Sequence, residues 1–299
     1  DKLTEIGRRN LTNIRELEPG ESVDLGGTLR ITLFRSAEYT NDSAILVEGE
    51  GYRVFNETDC KLSYEDLRGI GEKGVDLGFY MFSGANWYPI MYDYPEEDRM
   101  RLVRRRRSLL MKSFLQRVKL TRPRVATPAA GPCTVLDPDL LWLNSAQQGI
   151  FVDPREAVEA VRSAGLNTEP LVMAASDVWE GGRGFQRRSP DSFLRARSDY
   201  IADASRRMAP RILQRRQQEP PAGSDLPRLL EKYFQERVAA QTPAVRKRIN
   251  ARLAFEVTGP MGGSWTIDFC SKGSGFVREG LAPDWTYQVR VEDKLIYPF

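Results

Sequence analysis

The sequence predicts an α/β domain followed by a small α+β module. Three observations carry that reading. Apolar strand-like runs alternate with helix-like stretches through the first two thirds of the chain. The run Glu219-Pro220-Pro221-Ala222-Gly223-Ser224 reads as a linker. Beyond it the pattern changes to a largely helical stretch followed by short alternating strands. The expected domains are therefore 1–218 and 226–299.

The elements follow in order. After the Gly26-Gly27 turn, Thr28-Leu29-Arg30-Ile31-Thr32-Leu33-Phe34 alternates apolar and polar residues, as a half-buried strand does. Residues 44–47 and 52–55 form an expected hairpin across Glu48-Gly49-Glu50-Gly51, and its second strand runs directly into Asn56-Glu57-Thr58-Asp59-Cys60. A short helix is expected over 64–73, then a buried strand over 75–82 ending in Ser83-Gly84-Ala85-Asn86-Trp87. A long helix follows from Glu96 to about residue 118. Glu96, Glu97 and Asp98 stand at the positive end of its dipole, and Leu102, Val103, Leu109 and Leu110 supply its core stripe. Residues 124–128 suggest a strand and 133–136 a loop; 154–164 and 192–217 read as helices. In the module, 226–253 reads as helical with Pro243 interrupting it. Residues 254–257, 265–269, 287–291 and 295–297 read as strands of an antiparallel sheet.

Composition bounds the function. A chain of 299 residues with 41% hydrophobic residues is long and apolar enough to bury two cores. A net charge of +3 argues against a nucleic-acid binder, which concentrates far more basic charge on one face. No apolar run reaches the roughly 20 residues of a membrane span. Cys60, Cys133 and Cys270 are far apart with no CxxC pair, so a disulfide scaffold is not expected and a reducing cytoplasm is the expected location. Above all there is no histidine. A His-rich zinc site and a Ser-His-Asp triad are excluded within this chain, and its chemistry rests on carboxylates, thiols, hydroxyls or amines.

The sharpest local feature is Asp59, a carboxylate where an apolar strand opens into a loop, because rigid backbone there fixes a ligand at a cavity mouth. The plainer alternative is that Asp59 caps a turn or the next helix. Glu38 and Asp42 lie in the preceding inter-strand loop, within reach of Asp59; such carboxylates favour iron, manganese or magnesium, or are solvated loop acids. Cys60 reads as a small buried residue, with no histidine to activate it. Ser83, Asn86 and Trp87 combine small, amide and aromatic side chains after a strand, which suits a substrate pocket or a packed loop. Arg104-Arg105-Arg106-Arg107 wraps more than one helix face and reads as a solvated basic surface. Gly181-Gly182-Arg183-Gly184 lacks the lysine and spacing of a P-loop and reads as a turn beside Trp179.

Taken together, several stretches resemble the CMP-N-acetylneuraminate hydroxylase family. They are Leu11-Thr12-Asn13-Ile14, the loop 38–43, Val54-Phe55-Asn56-Glu57-Thr58-Asp59-Cys60, Met81-Phe82-Ser83-Gly84-Ala85, and 104–119 ending in Thr121-Arg122-Pro123-Arg124. Their order and spacing agree over roughly residues 10–145. The resemblance implies the second half of an αββα metallo-β-lactamase-like sandwich, whose His-x-His-x-Asp-His motif would lie upstream of Asp1. It places the next metal ligand, a histidine in the family, on Glu38, and the bridging aspartate on Asp59. It further implies iron at that site and a small-molecule substrate. Electrons would come from a Rieske iron–sulfur cluster, carried on an upstream domain or a partner protein. A metal-dependent hydrolase of the same fold, or a metal-free scaffold, is the alternative outcome.

The stretch 226–299 is similar to a sterol-carrier-protein-like domain through Ala254-Phe255-Glu256-Val257-Thr258-Gly259 and Gly263-Ser264-Trp265-Thr266-Ile267-Asp268. That likeness implies an apolar tunnel serving a lipid-like ligand or packing in a homodimer. Half a sandwich also carries a structural expectation: an apolar sheet face and an unpaired edge left open, to be completed by residues preceding Asp1 or by another chain.

Overall fold

The computed structural model describes residues 15–37, 42–84, 86–145, 148–190, 196–217, 225–271, 273 and 275–296. The chain divides into two compact units, 1–207 and 208–299, with the division inside a helix rather than at the expected linker. The run 219–224 lies outside the described residues.

The first unit is a mixed seven-stranded sheet in chain order: β1 (Ser22–Leu25), β2 (Leu29–Arg35), β3 (Ser43–Gly49), β4 (Tyr52–Thr58), β5 (Val75–Met81), β6 (Pro123–Ala129) and β7 (Glu169–Pro170). β1 to β4 pair antiparallel and β4 to β7 parallel. The antiparallel half needs only tight turns. At the β3–β4 hairpin, Gly49 pairs with Tyr52 and the chain turns through Glu50 and Gly51, both at positive φ, as a two-residue hairpin turn requires. The parallel half needs crossovers, supplied by α1 (Tyr64–Glu72), α2 (Glu96–Thr121) and α3 (Pro154–Ser163). Ser63 caps α1 through the Asp66 N–H, and Asp153 with Glu156 forms a capping box on α3.

Period-two alternation assigns the strand residues to two faces. Ala44, Leu46, Phe55, Tyr80 and Ala126 are fully or almost fully buried and pack with Leu67 and Ile70 of α1, Phe114 and Val118 of α2, and Ala157 and Val161 of α3. The opposite face carries Ile31, Leu33, Ile45, Val47, Val54 and Phe79, all only partly covered, with Leu25 and Leu29 exposed at its β1–β2 corner. Towards β5 and β6 the same face closes, Leu77 and Val125 being 4% and 3% exposed. Near its foot Tyr52 meets Trp179, from the small hairpin of β8 (Val178–Glu180) and β9 (Gly184–Gln186), edge-on at 5.9 Å. Among the described residues no strand pairs with the outer edge of β1. The glycine run 181–184 is the β8–β9 turn, as expected. The core stripe of α2 is shifted from expectation: Leu109 is half-exposed, and the buried side runs through Val103, Phe114, Arg117, Val118 and Thr121.

α4 (Arg197–Arg216) leads into the second unit. There α5 (Leu226–Ala239) and α6 (Pro243–Ile249) precede a four-stranded sheet of order β12-β11-β10-β13, from β10 (Arg252–Thr258), β11 (Gly263–Asp268), β12 (Val277–Glu279) and β13 (Tyr287–Glu292). Three expectations are corrected. Helix ends at Ile249, where Asn250 adopts the left-handed cap, so Arg252 already belongs to a strand. The sheet is mixed, because β13 runs parallel to β10. Residues Asp293–Ile296 form a short helix, α7, where the alternation had suggested a strand; Asp293 is 4% exposed and its carboxylate accepts the Met261 and Lys294 N–H groups. The core of this unit joins Leu226 and Val238 to Val257, Trp265, Ile267 and Phe276.

Candidate functional site

In the parallel half of the sheet the crossovers bring every loop that follows β4, β5 and β6 to one edge, the usual place for a site in such a sheet. β4 ends irregularly there. Its pairing with β5 slips between Asn56 and Thr58, leaving Glu57 as the extra residue of a bulge, and Thr58 sits at φ 43. A β-branched residue in the left-handed region is strained, and the surrounding structure has to hold it. The bulge aims two carboxylates in opposite senses: Glu57 is 0% exposed, whereas Asp59 is exposed.

Glu57 faces Arg117 of α2, whose Nε lies 3.1 Å from Oε1 and which is itself 7% exposed. Burial pushes the Glu57 carboxyl up to about 7, against the pull of the Arg117 guanidinium and the Leu62 backbone. Beside it, burial holds the Tyr80 phenol protonated, and Tyr80 Oη and Thr121 Oγ1 are hydrogen-bonded at 2.7 Å. Burial, and then the charges of Glu57, Asp42 and Asp59, push the Cys60 thiol up to about 11. Cys60 is thus a protonated core residue and no nucleophile. Asp42 and Asp59 both act on the Cys60 thiol.

Glu38 lies outside the described residues. Among the described residues no three His, Cys, Asp or Glu side chains gather at ligand spacing, so by themselves they do not enclose a metal ion. What they offer is one exposed carboxylate on a strained, rigidly held strand end, with a second, Asp42, nearby.

Two of the three substrate-lining candidates, Ser83 and Trp87, meet one segment. Ser83, 3% exposed, accepts the Val152 N–H at 3.1 Å through Oγ. Trp87, 39% exposed, stands edge-on to Phe151 at 5.2 Å. Asn86 is exposed and turns back on its own chain, its Oδ1 accepting the Tyr88 N–H at 2.8 Å. Ser83 and Asn86 therefore have structural partners, and Trp87 is the candidate that presents surface. Arg107 braces the same segment: it donates to the carbonyls of Gly149 and Phe151 and pairs with both carboxylate oxygens of Glu156, so the tetra-arginine run is in part structural.

Sequence reasoning missed the Glu57–Arg117 pair. The signal was present: alternation puts Glu57 on the covered side with Phe55, and helical spacing puts Arg117 beside Phe114 and Thr121.

No protein-family model matches the chain. It is similar to a protein of Mycolicibacterium smegmatis provisionally named a Rieske 2Fe-2S iron-sulfur protein, 27% identical over 228 residues, or 73% of this chain and 44% of that protein. A Mycobacterium tuberculosis protein with the same provisional name is 28% identical over 56% of this chain and 35% of its own length. The cytidine monophosphate-N-acetylneuraminic acid hydroxylase of Danio rerio is 26% identical over 53% of this chain and 27% of its own length. The likeness spans Rieske-type proteins and a hydroxylase. The chain covers less than half the length of each of these curated relatives. Two solved structures, provisionally described as metal-dependent hydrolases, align with TM-scores of 0.27 and 0.32. The first, from Thermotoga maritima, is placed in the metallo-β-lactamase superfamily (15% identity, 40% of this chain and 51% of that one); the second is from Parabacteroides distasonis (12% identity, 56% and 61%). Values this low do not establish a shared fold. The architecture itself, a mixed α/β sheet with helices on one face, stands on its own.

Proposed function

We propose that this chain is part of a metal-dependent oxygenase of the CMP-N-acetylneuraminate hydroxylase type, to which it contributes carboxylate ligands but not the whole ligand set. Asp59, and Glu38 from the preceding loop, are the ligands assigned to it. The observation that carries the reading is the end of β4: the bulge at Glu57 and the strained Thr58 hold Asp59 out at the site edge of the sheet while Glu57 is turned inward. A strained, anchored backbone suits a ligand whose position has to be fixed before the metal arrives. The family likeness to a hydroxylase and to Rieske-named proteins supports iron as the metal and a 2Fe–2S group as the electron source. Iron bound with open coordination positions would supply dioxygen chemistry. The chain's own residues would set the geometry: Arg117 keeps Glu57 off the metal, and Trp87 with Phe151 forms an aromatic wall for substrate.

Metal analysis of the intact protein tests this. About one or two irons per chain, reduced at least severalfold by Asp59→Asn with the fold retained, is the expected result. Zinc in place of iron, with hydrolysis of simple esters, would move the reading to a hydrolase. No bound metal, or metal indifferent to Asp59→Asn, would remove it.

A further inference from the structure

A second site emerges on the far end of the segment that Trp87 and Ser83 touch. The 3-10 turn Pro138–Asn144, the start of α3 and the start of α4 enclose a cleft of about 860 Å³, within the range of small-molecule sites. Its apolar wall includes Leu141, Phe151 and Ile201, the last two only 6% exposed. Its lining charges are Asp153, Glu156 and Glu159 against Arg155 and Arg197, and each acid already has a close basic partner. Asp153 is clamped by Arg155, which donates to it through the backbone N–H, Nε and Nη2 at 2.9–3.1 Å. Glu156 is engaged by both carboxylate contacts of Arg107, and Glu159 pairs with Arg162. That leaves Arg197. Its side chain is only 19% exposed, yet among the described residues its nearest partners are Thr134 Oγ1 at 3.5 Å and Asp153 Oδ2 at 3.9 Å. A half-buried guanidinium carries several N–H donors in a planar fork, and long contacts of this kind leave most of them without a close acceptor. Burial lowers the Arg197 pKa while Asp153 only partly offsets it, in agreement with an under-partnered cation. A buried cation with unused donors, set against an apolar wall, is the arrangement that recognises an amphipathic anion.

We infer that this cleft binds a small amphipathic carboxylate, its acid group in the fork of Arg197 and its apolar body against Leu141, Phe151 and Ile201. The inference does not depend on metal binding at Asp59 and goes beyond that reading.

Isothermal titration of the intact protein with octanoate, and with octanol as the uncharged control, tests it. Octanoate is expected to bind saturably and more tightly than octanol. Arg197→Gln is expected to weaken octanoate by about tenfold to a hundredfold and to leave octanol unchanged, since only the charged hydrogen bonds are removed. Ile201→Trp, which fills the cleft, is expected to weaken both. Octanoate binding no tighter than octanol, or unaffected by Arg197→Gln, would overturn the assignment. Should Arg197→Gln not fold, Ile201→Trp carries the test, and unchanged octanoate affinity in it would overturn the site.

Discussion

The two faces of the seven-stranded sheet are built from the same strands, residue by residue in alternation, and they meet different fates. On one, Ala44, Leu46, Phe55 and Tyr80 are sealed under α1, α2 and α3. On the other, Ile31, Leu33, Ile45, Val47 and Val54 are equally apolar but only half-covered across β2 to β4. A sheet facing water on one side normally shows polar residues there. The second face is therefore as apolar as the first without being fully covered among the described residues.

The largest effect is expected at the covered face. Phe55→Ala, which empties a fully buried ring site, is expected to cost about 3–5 kcal/mol by urea unfolding, whereas Val47→Ala on the open face costs about 1 kcal/mol or less. Equal costs would mean that the open face is already packed.

Removing Arg117 attacks the buried charged pair it forms with Glu57 inside the covered face. Arg117→Met strands Glu57 in the core and is expected to destabilise by about 3–5 kcal/mol at pH 8 and by less at pH 5, where Glu57 takes up a proton. A loss independent of pH would contradict the assignment of the charge.

A smaller effect sharpens the same point. With the Glu57 carboxyl raised from 4.5 to about 7 in the folded protein, the native state holds an extra proton between those values, so this group makes stability fall as pH rises through that window. Comparing unfolding midpoints from pH 4.5 to 7.5 in the wild type and Glu57→Gln checks the sign: the variant is expected to lose that component of the slope. A steeper fall in the variant would reverse it.

Much of this was legible in the sequence because it is local. Alternation marked the strands at 28–34, 44–47 and 52–55, turn glycines marked the hairpins, and the acids Glu96, Glu97 and Asp98 marked the start of the long helix. What escaped is set by partners distant in sequence. Tyr287–Glu292 reads as any alternating strand; that it runs parallel to β10 depends on the connection through β11 and β12. The short helix at Asp293 is held by the Met261 N–H. In the candidate site, Asp59 stands at an exposed strand end as its sequence position implied, while Glu57 escaped because its value lies in the contact with Arg117, sixty residues on. Arg197 likewise looked like one of many arginines until Arg155 and Arg107 were seen to occupy the neighbouring acids.

The most direct test of the difference between the two faces is thiol labelling at Val47→Cys in the intact protein, read peptide by peptide, with Leu109→Cys on the half-exposed side of α2 as the reference. The account predicts that the cysteine at 47 labels within about tenfold of the one at 109, because the face over β3 is only partly covered. Labelling about a hundredfold more slowly, or slower still, would contradict it and mean that the β2–β4 face is packed like the helix-covered one.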